Sequence, residues 1–113
     1  MGRRCCLAGI ERDKLPVLGA ALKAAGEKGR TSKAGLDVRE IARLHPDLLI
    51  ADIDHLDVDG LELVRQIRFV LPSCVIAIYS ENLHKAWALE CHLAGANCIL
   101  SKDSSVAELS AGL

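Results

Sequence analysis

Short apolar runs alternate along this chain with helix-length amphipathic stretches, the pattern of repeated strand and helix units around a parallel sheet. Five such units can be counted. Cys5-Cys6-Leu7-Ala8 is a continuous apolar run ending at Gly9. Leu15, Leu18, Ala21, Leu22 and Ala25 then recur at helical spacing, with Asp13 near the start and Gly26 past the end. Glu27 to Gly35 is polar and carries two glycines, so the second strand is expected to be weak and to lie at a sheet edge. Leu36, Val38, Ile41, Ala42 and Leu44 predict a second helix. It stops near His45, because Pro46 disfavours helix in the residue before it.

Leu48-Leu49-Ile50-Ala51 runs unbroken into Asp52, as a parallel strand buried on both faces does. Asp59-Gly60 reads as a turn before a third helix that carries Leu61, Leu63, Val64, Ile67 and Val70 and is broken by Pro72. Cys74 to Tyr79 is the fourth strand, Leu83 to Leu93 the fourth helix and Cys98 to Leu100 the fifth strand. Ser104 or Ser105, with Glu108 placed for a capping box, opens a fifth helix that meets the chain end at Leu113. So short a helix is marginal, and the expectation is a chain cut from a longer protein whose second domain lies elsewhere. The pattern predicts an α/β fold, a doubly wound five-stranded parallel sheet in a three-layer α/β/α sandwich, with a weak second strand and a truncated last helix.

At 113 residues the chain makes a single domain, 1–113. Its 14 basic and 15 acidic side chains nearly cancel, which leaves no field to attract nucleic acid or an anionic membrane. No apolar run approaches the roughly 20 residues of a membrane span, and the stretch after Met1-Gly2-Arg3-Arg4 is too short for a signal peptide. A cytoplasmic location is expected. The five cysteines, Cys5, Cys6, Cys74, Cys91 and Cys98, show no CxxC spacing and read as buried reduced thiols.

In such a sheet, ligands bind outside the carboxyl ends of the strands, so the residues closing each strand carry the chemistry. Here these are Gly9 to Glu11, Asp52, Ser80 and Lys102. A carboxylate can attack phosphorus, a hydroxyl can hold a phosphate oxygen and an ammonium can balance the charge, so Asp52, Ser80 and Lys102 together suit a phosphoryl group. Taken singly, Asp52 reads equally well as a turn cap, and Ser80 and Lys102 as ordinary loop residues.

The segment PDLLIADIDHLDVDGLELVRQIR, Pro46 to Arg68, resembles the phosphoacceptor segment of response-regulator receiver domains, PDLxxxD followed by a short loop, DG and an amphipathic helix. GANCILSKD fits the family's GAxxYLxK pattern, and the spacings resemble the subgroup with a C-terminal helix-turn-helix output domain, in which an acid such as Asp103 follows the lysine. The resemblance implies the flavodoxin-like strand order 2-1-3-4-5, Asp52 as phosphoacceptor, Ser80 as switch hydroxyl and Lys102 as the fifth-strand lysine. It also implies Mg²⁺ held by Asp52 and the backbone carbonyl of Asp54, at a degenerate pocket where Glu11, helped by Asp13, could partly replace the missing acids if the loop shifts by a residue. The implied partners are a histidine kinase, an output domain acting in transcription, and a second copy through the face of the fourth helix, fifth strand and fifth helix.

Several positions depart from the family. Its first strand usually ends in two adjacent acids that hold Mg²⁺, and Gly9-Ile10 stands there. Leu56 replaces the usual loop proline, Ile99 stands where an aromatic switch residue is common, and Glu81 adds a negative charge beside Ser80. Two functions are therefore expected in competition. One is a receiver that takes a phosphoryl group on Asp52; the other is a phosphorylation-independent interaction and dimerisation module. Neither is an enzyme. A third class, a flavodoxin-like flavin carrier, has the architecture and no motif to support it.

Other constellations weigh less. Asp52, Asp54, Asp57 and Asp59 do not fit the ligand spacing of a calcium loop, and Asp57 and Asp59 read as solvated loop residues. His45, His55, His84 and His92 form no zinc pattern, although His55 lies in the loop after Asp52. Trp87, on a fourth helix that is apolar on more than one side, reads either as core or as part of a partner-binding patch.

Overall fold

The computed structural model describes residues 2–56 and 58–113, apart from the side chain of Val58. The strands are β1 (Cys5–Ala8), β2 (Thr31–Ala34), β3 (Leu48–Ala51), β4 (Val75–Ser80) and β5 (Cys98–Ser101). The helices are α1 (Leu15–Ala24), α2 (Val38–Leu44), α3 (Val58–Val70), α4 (Lys85–Ala94) and α5 (Val106–Gly112), and a 3-10 turn at Arg12–Lys14 leads into α1. All pairings are parallel and the order is β2-β1-β3-β4-β5, as the resemblance implies.

Alternation along each strand divides the core into two layers. Cys6, Ala8, Leu49, Ala51, Ile76 and Ile78 pack with Ile41, Val64, Ile67 and Cys91, on the side of α2, α3 and α4. Cys5, Leu7, Leu48, Ile50, Ala77 and Tyr79 pack with Leu18, Ala21, Leu22 and Leu109 under α1 and α5. β1 and β3 are buried at every residue, which explains their unbroken apolar runs. Edge strand β2, with sequence Thr-Ser-Lys-Ala, alternates between exposed and half-buried.

The helix ends follow local chemistry. Asp37 caps α2 by accepting from the Glu40 N–H, and His45 ends it in the left-handed conformation. Ser105 and Glu108 form the expected capping box on α5. The turn expected at Asp59-Gly60 is instead the first turn of α3. Gly60 is required there by packing, because a Cβ would come within 2.9 Å of the Ile53 side chain. Asp59 is exposed, as expected, but helical; Asp57 lies outside the described residues.

Arg68, which the pattern reading passed over, ties three elements together. Its guanidinium donates to the carbonyls of Leu71, Pro72 and Cys74 after α3 and to Gly95 O and Asn97 Oδ1 after α4.

Four of the cysteines are buried and Cys98 is half-buried, and all five are free thiols. Burial pushes the thiols of Cys6, Cys74 and Cys91 up to about 11, so almost no thiolate exists near neutral pH. Native protein at pH 8 is therefore expected to resist iodoacetamide at these three, as read by peptide mass spectrometry, with full alkylation after denaturation. Rapid labelling of Cys6 in the folded state would contradict the packing.

Candidate functional site

The register builds the site. Ala8 pairs with Ala51, so β1 and β3 end level, and the Asp52 N–H donates to Ala8 O at 3.1 Å. Ser80 pairs with Ser101, and the Lys102 N–H donates to Ser80 O at 3.1 Å. Three strand ends distant in sequence thus converge on one edge. Asp52, Ser80 and Lys102 are the three buried polar or charged residues of the described chain.

Asp52 is 1% exposed, and its carboxylate is fully engaged. Oδ2 lies 2.7 Å from Lys102 Nζ, and Oδ1 accepts from the Asp54 N–H at 3.1 Å. Asp54 completes the cluster with its side chain, to which the sequence reading assigned no role. Asp54 Oδ2 is 2.9 Å from Lys102 Nζ and accepts from the Glu81 N–H at 2.9 Å, while Oδ1 accepts from Ser80 Oγ–H at 2.5 Å. The only signal for this in the sequence is an acid two residues past Asp52, in a loop that turns back over the sheet edge.

Charge and burial set the protonation. Burial alone would push the Lys102 ammonium down, but hydrogen bonds and charge from Asp52 and Asp54 outweigh it and hold the group above its ordinary range. Burial raises the Asp54 carboxyl, and the hydrogen bonds from Ser80, Glu81 and Lys102 overcome that and leave it below the usual range. The cluster is an ammonium between two carboxylates.

The metal ligands implied by the resemblance meet a different environment. Gly9 has φ +66°, and a Cβ there would lie 2.6 Å from Leu36 Cγ, so backbone and packing both disfavour an acidic side chain at that position. Ile10 packs partly against the α1 and α5 layer. Glu11 is exposed and precedes the 3-10 turn, where its carbonyl accepts from the Lys14 N–H. Among the described residues, no three acidic, histidine or cysteine side chains come together to hold a metal ion. Asp52 and Asp54 come together around Lys102 with no acid from the end of β1, so a Mg²⁺ ion here would rest on those two residues and on water.

Beside the cluster opens a cleft of about 300 Å³ lined by Asp54, Glu81, Asn82 and Trp87. Trp87 is half-buried and packs on the α2, α3 and α4 layer. Leu83, Leu89 and Leu93 are exposed, Leu93 at 74%, so α4 and the loop before it carry apolar side chains in solvent. His55 is exposed.

A doubly wound sheet of this order, with an aspartate, a hydroxyl and a lysine at its carboxyl edge, defines the receiver class of signalling domain. The sequence matches the response regulator receiver domain family over residues 15–113, and the chain belongs to that family. It is 40% identical over 76 residues to the KDP operon transcriptional regulatory protein KdpE of Escherichia coli (strain K12), a match covering 66% of this chain and 32% of that protein. The chain therefore spans 32% of the length of its curated relative. Two solved structures share the fold at TM-score 0.82 and 19% identity. They are a response regulator from Thermotoga maritima, matched over 99% of this chain and 94% of its own, and a CheY-like protein (tadZ) from Pseudomonas aeruginosa PAO1, over 98% and 90%. Receiver domains are modules of two-component systems, and no helix among the described residues is long and apolar enough to cross a membrane.

Proposed function

We propose that this receiver domain signals through protein contacts without waiting for a phosphoryl group, as an interaction and dimerisation module of a transcription regulator. The observation that carries the reading is the end of β1. Gly9, held at positive φ against Leu36, stands where a metal-binding acid is expected, so the crevice lacks a ligand for the cation that, beside Lys102, would offset the charge of an incoming phosphoryl group. Glu81, exposed on the same cleft, adds a repelling charge. The transcription output rests on the likeness to KdpE, and the interaction surface on the exposed leucines at and before α4.

A second reading has its own support, the convergence of Asp52, Ser80 and Lys102. In it, an Asp52 oxygen attacks the phosphorus of a kinase phosphohistidine, the phosphorus–nitrogen bond breaks, and the histidine nitrogen keeps the electron pair and takes up a proton. Lys102 balances the charge and Ser80 holds an oxygen.

One experiment separates them: incubation with acetyl phosphate and Mg²⁺, followed by intact-mass measurement. The expected result is no adduct. A single-phosphate adduct that disappears in Asp52→Ala would overturn the proposal and establish the second reading.

A further inference from the structure

The donors around Asp54 are those that would receive a phosphoryl group on Asp52. A hydroxyl from Ser80, a backbone N–H from Glu81 and the Lys102 ammonium point at one place, and all three already hold an oxyanion, the Asp54 carboxylate. Hydroxyl, amide and ammonium donors converging on two oxygens make a general oxyanion seat, and charge-assisted bonds of this kind are the strong ones.

We propose that Asp54 is a tethered stand-in for the phosphoryl group, a positioning residue that holds Ser80 and the β4–α4 segment in the arrangement a phosphoryl group would impose. The inference deepens the phosphoryl-independent reading and rests on it only in taking that segment as the signalling element.

The contacts continue beyond the seat. Ser80 Oγ, held by Asp54, accepts from the Asn82 N–H at 3.0 Å. Asn82 Oδ1 accepts from the His84 N–H at 3.0 Å, and His84 Nδ1 accepts from the Ala86 N–H at 3.3 Å, capping α4. An unbroken chain of hydrogen bonds thus runs from Asp54 to the first turn of α4, one residue before Trp87 and at the start of the helix that exposes Leu89 and Leu93. After the link from Asp54 to Ser80 each step spans two residues, so a change at Asp54 has a short path to that surface.

The alternative to be separated is a merely structural carboxylate that neutralises Lys102. Trp87 on α4 distinguishes them, because cutting away a carboxylate that only neutralised Lys102 would leave the β4–α4 segment unmoved, and rescue by a free oxyanion shows that the seat itself controls it. In Asp54→Ala, amide hydrogen exchange at Glu81 is expected to be at least about tenfold faster than in wild type, from loss of its bond to a charged acceptor, with a smaller rise at Asn82, whose acceptor Ser80 Oγ is no longer held. Trp87 emission is expected to shift. Sodium formate is expected to restore both readouts in the variant in a saturable way, with sodium chloride at the same ionic strength inactive and wild type unaffected by either salt.

Unchanged exchange in Asp54→Ala, failure of formate to restore it, or an equal response of wild type to formate would each overturn the inference. If Asp54→Ala does not fold, Asp54→Asn serves in its place. It keeps an acceptor for Ser80 and loses the charge, and exchange at Glu81 faster than in wild type is then expected; exchange as slow as in wild type would overturn the inference. A phosphate adduct on wild-type protein would defeat the phosphoryl-independent reading without touching these measurements, so the two can fail separately.

Discussion

Replacing Lys102 with methionine is expected to destabilise the domain by about 3–5 kcal/mol, the range for removing one partner of a buried ion pair. The side chain is 6% exposed and touches both carboxylates of the cluster, at 2.7 Å and 2.9 Å. Methionine fills much the same volume, so packing is largely kept and the loss reports the charges left behind. Asp52, 1% exposed, would have no cation beside it. Urea unfolding at neutral pH, followed by circular dichroism, measures the effect. Adding Asp54→Asn to Lys102→Met should recover part of the loss, because it removes one of the two stranded charges. A loss below about 1 kcal/mol would place the triad with exposed surface pairs and contradict the buried cluster.

The second large effect is expected at Gly9. Gly9→Asp should cost about 2–4 kcal/mol, adding the strain of a left-handed backbone, about 1–2 kcal/mol, to overpacking against Leu36. Gly9→Ala should show most of the same loss, because the Cβ, not the carboxylate, makes the collision. Leu36→Ala in the Gly9→Asp background should return the packing part and leave the backbone part. Unfolding curves of the four proteins settle it, and wild-type stability in Gly9→Asp would show that the β1 end is free to carry an acid. The comparison bears on function as well. The missing acid of the family pattern is built into the backbone and into the neighbouring helix-entry residue, so one substitution does not restore it.

Much of the architecture was legible along the chain because it rests on short-range rules. The unbroken run Leu48 to Ala51 states burial on both faces, Pro46 stops α2, and Ser105 with Glu108 starts α5, each through contacts within a few residues. Asp59-Gly60 misled for a matching reason. A glycine after an acid reads as a turn when only neighbours are considered, whereas here the glycine serves the approach of α3 to Ile53. Arg68 was equally hidden, since the carbonyls it collects come from the ends of two helices and the start of β4.

Asp52, Ser80 and Lys102 could be singled out from sequence because each closes a strand, and strand ends of a parallel sheet share one edge. What the amino-acid order could not supply was the direction of side chains across that edge. Nothing in the spacing of Asp54 tells that its carboxylate folds back between Ser80 and Lys102, or that Leu36 presses on Gly9. The sequence alone determined the strands, the helices and the three polar tips, because these follow from periodicity and nearest-neighbour chemistry. Only the tertiary structure decided which oxyanion sits among those tips, because that depends on distances between β3, β4 and β5 that parallel pairing sets and no local pattern encodes.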